Sequence, residues 1–158
     1  MTKERVKATE KIKVVDESDI YLAYESLVAD KEAYIFYEFD DNKLIVGRYA
    51  FKNIDYYKNQ CLVDYGETKK ILVDKYGKPE DEEVIWYNKL YAGQEEKYGL
   101  AISLGHIMMF NKWDTDETVI LQILKGENYT INLGVTYFSK SHYEHINRDK
   151  SSEYLKDF

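Results

Sequence analysis

A chain of 158 residues that is 44% hydrophobic and 32% charged has the size and composition of a globular domain, which excludes wholesale disorder. Its net charge of −7 argues against a nucleic-acid partner, because phosphate binding needs a positive face and the longest basic runs are Lys69-Lys70 and Lys11-Ile12-Lys13. No run approaches about 20 apolar residues, so no transmembrane segment is expected, and the lone Cys61 leaves neither an intrachain disulfide nor a multi-cysteine metal site.

Proline occurs once, as Pro79, and no Pro/Gly-rich linker interrupts the chain, so residues 1–158 read as a single domain. The start Met1-Thr2-Lys3-Glu4-Arg5 is not a signal peptide. As it stands the chain reads as cytoplasmic; a removed upstream leader would make it an envelope or secreted protein.

Residues 2–11 are polar and read as a short, fraying helix, and Ile12 to Val15 open the first apolar run. Tyr21–Val28 reads as a strand, Ala29-Asp30-Lys31-Glu32 as a turn, and residues 33–39 as a second strand rich in aromatic and β-branched residues. Asp40-Asp41-Asn42-Lys43 is a turn by its chemistry, since Asp and Asn tolerate left-handed backbone, and residues 44–51 return as the partner strand. Residues 33–51 are thus a β-hairpin.

The main helix is expected over about 55–76, with Asp55 as N-cap and Tyr57, Cys61, Tyr65, Leu72 and Tyr76 on one stripe that Leu62 and Ile71 widen. Gly77 and Pro79 stop it, and Gly66 inside it is read as an allowance for close packing on a sheet. The acidic run Glu80-Asp81-Glu82-Glu83 reads as a solvated loop, Val84–Tyr87 as a short strand and 88–97 as an excursion loop. Residues 100–110 fit either strand or helix; Gly105 within them favours a bent pair of strands.

A second hairpin spans 118–138, with its turn at Lys125-Gly126-Glu127-Asn128. In its return strand Tyr129, Ile131, Leu133, Val135 and Tyr137 alternate with Thr130, Asn132, Gly134 and Thr136, which predicts one buried face and one wet face. The 55–76 helix is the natural cover for the buried side. Residues 139–158 form a polar C-terminal tail with a short helix. The fold class is therefore α+β: an antiparallel sheet of hairpins packed by one main helix, with short terminal helices.

Tyr37-Glu38-Phe39-Asp40-Asp41-Asn42-Lys43-Leu44, Lys75-Tyr76-Gly77-Lys78-Pro79, Trp86, residues 99–106, Trp113, Thr118–Leu121 and Ile131–Tyr137 stand in an order that resembles a family of small uncharacterised proteins. These occur chiefly in low-GC Gram-positive bacteria, and the resemblance covers roughly residues 30–138. It implies no activity, cofactor or site residue. Members of that family begin with a short helix after a Trp-Gly pair; Thr2–Val6 matches the helix and the pair is absent, so the resemblance implies a natural start further upstream. The layout of helix, sheet and Lys-Tyr-Gly-x-Pro turn is also similar to small envelope lipoproteins of the outer-membrane assembly type. Those are binding modules, although fold does not fix function.

Several side chains could carry chemistry. His142 and His145 with Glu144 could hold zinc, but their spacing departs from the helical zinc-protease motif, and a solvated tail is the simpler reading. His106 could serve as a general base, yet no Ser, Cys or Asp partner is evident beside it, and Cys61 lies on the helix's core stripe. Asp114-Thr115-Asp116-Glu117 and Asp40-Asp41-Asn42 offer oxygen ligands without the spacing of a calcium loop. No catalytic residue, metal or cofactor is therefore expected.

Trp86, Tyr87, Tyr91 and Trp113 could form a recognition surface, since Trp and Tyr are enriched in binding hot spots; core packing is the rival for both tryptophans. The expected function is a non-catalytic binding or accessory module for another protein, acting through an aromatic and acidic sheet face or groove. An immunity-type inhibitor of a basic toxin is its specific version. The alternative is an enzyme with a scattered site around His106.

Overall fold

In the computed structural model, which describes residues 1–149, three pairs of neighbouring residues that link paired strands hold positive φ: Ala29 and Asp30, Asp41 and Asn42, and Asn128 and Tyr129. Such pairs mark two-residue hairpin turns, whose twist matches that of the strands they join. The first two sit at tips expected from sequence. The third lies beyond Gly126, which belongs to the strand instead.

The strands are β1 (Asp16–Glu17), β2 (Tyr21–Val28), β3 (Lys31–Asp40), β4 (Lys43–Phe51), β5 (Asp81–Trp86), β6 (Ile107–Asp114), β7 (Thr118–Glu127) and β8 (Thr130–Ser139). They form one antiparallel sheet in the order β1-β2-β3-β4-β8-β7-β6-β5. The sheet is two four-stranded meanders joined through their last strands, with Gly47 opposite Tyr137 and Val46 opposite Phe138 at the seam. A helix precedes each meander: α1 (Lys3–Glu10), capped by the Thr2 hydroxyl, and α2 (Gln60–Tyr76).

Both helices cover the same side of the sheet. Val6 of α1 is buried against Leu22, Tyr24, Ile35 and Phe39, and α2 packs on a larger core that includes Trp113, Ile120, Leu124, Leu133 and Val135. Lys31 reaches across from β3 to Asp64 and Glu67 of α2, at 3.0 Å each. α2 buries Cys61, Asp64, Tyr65, Thr68 and Leu72, the helical spacing expected. Ile71 does not widen that stripe, being 49% exposed. Gly66 faces open space, so close packing does not explain it. The helix also begins later than expected. Asp55 accepts from Tyr57 N–H at the entry to a short 3-10 turn, Tyr57–Asn59, whose left-handed Lys58 and Asn59 break it from α2.

Residues 100–110 are not a bent pair of strands. Tyr98–Ser103 is a helix, α3, and only Ile107 onward is strand. Gly105 at φ +77° closes the helix in a Schellman pattern, its N–H donating to Ile102 O at 2.9 Å while His106 N–H donates to Ala101 O at 2.9 Å. The acidic run likewise enters β5, an edge strand on which Asp81, Glu82 and Glu83 stay solvated and blunt edge-to-edge pairing.

The predicted alternation of β8 holds from Thr130 to Val135 and then fails, because Thr136 and Phe138 on the opposite face are fully buried too. They belong to a second core on that face, with Val46, Met108, Phe110, Val119, Leu121 and Ile123. Tyr143 and Ile146 of α4 (Lys140–Asp149) pack against it, so the terminal helix is part of the fold. The remainder of the predicted tail, 150–158, lies outside the described residues. Among the described residues no helix is long and apolar enough to cross a membrane.

Candidate functional site

Strand alternation sorts the side chains of β3 and β4 onto two faces, and each face carries a concavity. Away from α1 and α2, a groove of about 660 Å3 runs between the β1–β2 turn and the β3–β4 hairpin. Its apolar side chains are Ile20, Tyr21, Phe36 and Ile45 and its polar ones Asp16, Glu38 and Asp40; Phe39 also borders it, with its side chain buried in the core under α1. Ile45 is the extra residue of a β-bulge: Glu38 pairs with Val46 and Phe39 with Leu44, leaving Ile45 unopposed. Ile20 is 66% exposed.

None of these lining residues is basic. Asp16 accepts from the Tyr21 hydroxyl, whereas Glu38 and Asp40 make no ion pair with a described residue. His142 of α4 stands near both carboxylates; burial lowers its pKa while Glu38 and Asp40 pull it back up. The groove is apolar at its floor and anionic along its wall.

On the helix-covered side, a cleft of about 340 Å3 lies over the β4–β8 seam beside the C-terminal end of α2. Tyr37, Tyr49, Tyr76 and Tyr137 line it, with Gly47 among the strand residues and Lys75 at the rim. Tyr137 meets Tyr49 and Tyr76 edge-on, at ring-centre distances of 5.9 and 6.3 Å. The Tyr37 hydroxyl donates to Glu10 of α1.

Burial raises the phenols of Tyr37, Tyr49 and Tyr137 above the ordinary value, as it does Tyr65 under α2, and it pushes the Cys61 thiol up to about 11. All are held neutral at physiological pH. Because their folded values lie above the ordinary 9.0 for the thiol and 10.0 for the phenols, the stability they confer is present at lower pH and lost as pH rises past those values. The urea midpoint is expected to fall steadily from about pH 9 to about pH 11. An unchanged midpoint across that window would contradict this reading.

The residues singled out from sequence are dispersed. Trp113 is 2% exposed and donates Nε1–H to Gly77 O at 2.8 Å, which makes it a core residue with no face to offer. Trp86 is half-buried, edge-on to Tyr98, and Tyr91 stacks on His106 at 5.8 Å. Tyr87 alone of the four is freely exposed. Trp86 and Tyr91 pack against the same core as Trp113.

His106 keeps its ring against Tyr91, and its buried Nδ1 has no hydrogen-bond partner among the described residues. Among the described residues no carboxylate is hydrogen-bonded to it to orient it as a general base would require. Cys61 is fully buried with a raised pKa, the opposite of an activated nucleophile. Asp114 is engaged by Lys140 at 2.7 Å. Among the described residues no three His, Cys, Asp or Glu side chains are grouped so as to hold a metal ion.

Sequence reasoning missed both concavities. The surplus of sixteen tyrosines is the one visible signal for the cleft; Glu38 and Asp40 stand out in the sequence as part of a hairpin strand and turn, with Asp40 also weighed as an oxygen ligand, and not as a binding wall. No family model matches the chain, and neither the curated proteins nor the solved structures hold a significant match to it.

Proposed function

We propose that this protein is a non-catalytic binding module that presents the acidic, apolar-floored groove of its first meander to a basic segment of another protein. The single observation that carries the reading is the composition of the groove: Ile20, Phe36 and Ile45 offer apolar area beside Glu38 and Asp40, whose charges no described residue neutralises. Apolar contact supplies affinity, while uncompensated carboxylates favour cationic partners and disfavour anionic ones. Inhibition of a basic toxin is one specific form such a module would take.

The test is an NMR titration of the full chain with an extended peptide of alternating Lys and Leu, set against its Glu and Leu counterpart. The cationic peptide is expected to shift the amides of Ile20, Phe36, Glu38 and Ile45. The double change Glu38→Lys, Asp40→Lys is expected to weaken it by about tenfold or more, and added salt to weaken it further. Equal binding of the anionic peptide, or shifts confined to other parts of the sheet, would defeat the proposal.

A further inference from the structure

The tyrosine cleft lies on the other side of the sheet and shares only Ile45 with the lining of the groove. Its walls come from separate stretches of chain: Tyr37 from β3, Tyr49 from β4, Tyr76 from α2 and Tyr137 from β8. A volume of about 340 Å3 falls at the lower end of the range for small-molecule sites. Gly47 shows that the space is not forced by packing. Its φ is not positive, and an added Cβ would sit 3.5 Å from Tyr37 Cε1, an ordinary contact. A side chain could stand there, and its absence leaves the cleft open.

The electrostatics select the kind of occupant. The phenols are protonated at neutral pH; Tyr37 already donates to Glu10 and Tyr137 is bonded to Tyr76, whereas the Tyr49 hydroxyl has no partner among the described residues and can donate to a ligand. Lys75 has no carboxylate partner among the described residues, and its ammonium lies 5.2 Å from the centre of the Tyr76 ring. Glu117, the one lining carboxylate, is exposed. A cationic ligand would meet a cation already resting on the aromatic wall. An anion would neutralise it and accept from the Tyr49 hydroxyl.

We propose that the cleft binds a small molecule with a flat apolar body and one anionic head group, the body against the rings of Tyr49 and Tyr137 and the head at Lys75 and the Tyr49 hydroxyl. The residues that read out this site, Gly47, Tyr49, Tyr76 and Tyr137, are absent from the groove's lining, so a result on one leaves the other standing.

The experiment titrates the full chain with indole-3-acetate, indole and tryptamine, which share a ring system and differ in charge, and reads amide shifts by NMR. Indole-3-acetate is expected to shift Gly47, Tyr49, Tyr76 and Tyr137, and to do so more tightly than indole, with tryptamine weakest. Lys75→Met should weaken the acid by about fivefold, the size of one partly exposed charge contact, and leave indole unchanged. Gly47→Val should plug the cleft and abolish binding while the thermal midpoint is retained; if that variant does not fold, Tyr76→Leu at the half-buried wall takes its place. Glu38→Lys in the groove should have no effect. No shift at these amides with any of the three compounds at millimolar concentration, tryptamine binding as tightly as the acid, or unchanged affinity in Lys75→Met would each overturn the proposal.

Discussion

Replacing Gly126 by alanine is expected to destabilise the protein by about 3 kcal/mol, a loss out of proportion to one methyl group. A Cβ at this position would land on the carbonyl oxygen of Ile102, well inside van der Waals contact, and within 2.8 Å of both Ser103 Cα and Thr130 O. All of these neighbours are backbone, which cannot swing aside as a side-chain tip can. The contact is where α3 docks on the end of the β7–β8 hairpin, and Tyr129 N–H donating to Ser103 O at 2.9 Å fixes that docking. Gly66→Ala should do the reverse. Its Cβ would meet nothing within 4 Å, and in the helix interior the change should stabilise by about 0.5–1 kcal/mol. Urea denaturation of the two variants beside the parent chain measures both signs at once. A Gly126→Ala loss below about 1 kcal/mol would show that α3 can shift on the sheet, against the close packing described.

The same glycines show what could and could not be read from sequence. Asp41-Asn42 announces its turn because short polar side chains tolerate positive φ, and the hairpin was legible. Gly126 looked like a turn residue for the same chemical reason, yet it is a strand residue kept small by a helix over 20 residues earlier in the chain. Gly105 interrupts an apolar run, and interruption alone cannot distinguish a bent strand from a helix end; the backbone bonds at Ile102 and Ala101 decide it. The α+β class, the hairpins and the buried stripe of α2 rested on local periodicity and were readable. The concavities were not, because they depend on pairings between distant segments. Tyr137 comes to Tyr49 only through the β4–β8 seam, and Ile45 reaches the groove only because a bulge shifts the register. A second buried face on β7 and β8 was hidden for a related reason: alternation reports which side chains share a face, and says nothing of whether α4 will return to cover the other one.

Beneath α2 the sheet carries a buried polar bridge whose loss should rival that of Gly126. Asn111 on β6 and Gln122 on β7 are direct cross-strand partners at 2% and 0% exposure, on the side that faces the helix. Asn111 Nδ2 donates to Gln122 Oε1 and to the Tyr65 hydroxyl, each at 2.8 Å, and Gln122 Nε2 donates to Tyr65 O at 2.8 Å. The two amides therefore clamp the helix to the sheet from both the side chain and the backbone of Tyr65. Gln122→Leu keeps the volume but strips Asn111 of one partner and the helix of its only sheet-borne donor to Tyr65 O among the described residues. The expected cost is about 2–3 kcal/mol, most of it the desolvation of groups left unpaired. Asn111→Leu should cost a similar amount by stranding Gln122 Oε1 and the phenol. The double variant removes donor and acceptor together, so its loss should fall short of the sum of the singles by about 1–2 kcal/mol. A double-mutant cycle in urea reads that coupling directly. Additive losses would mean that the amides act separately, and that the helix is held by its apolar stripe of Cys61, Tyr65 and Leu72 alone.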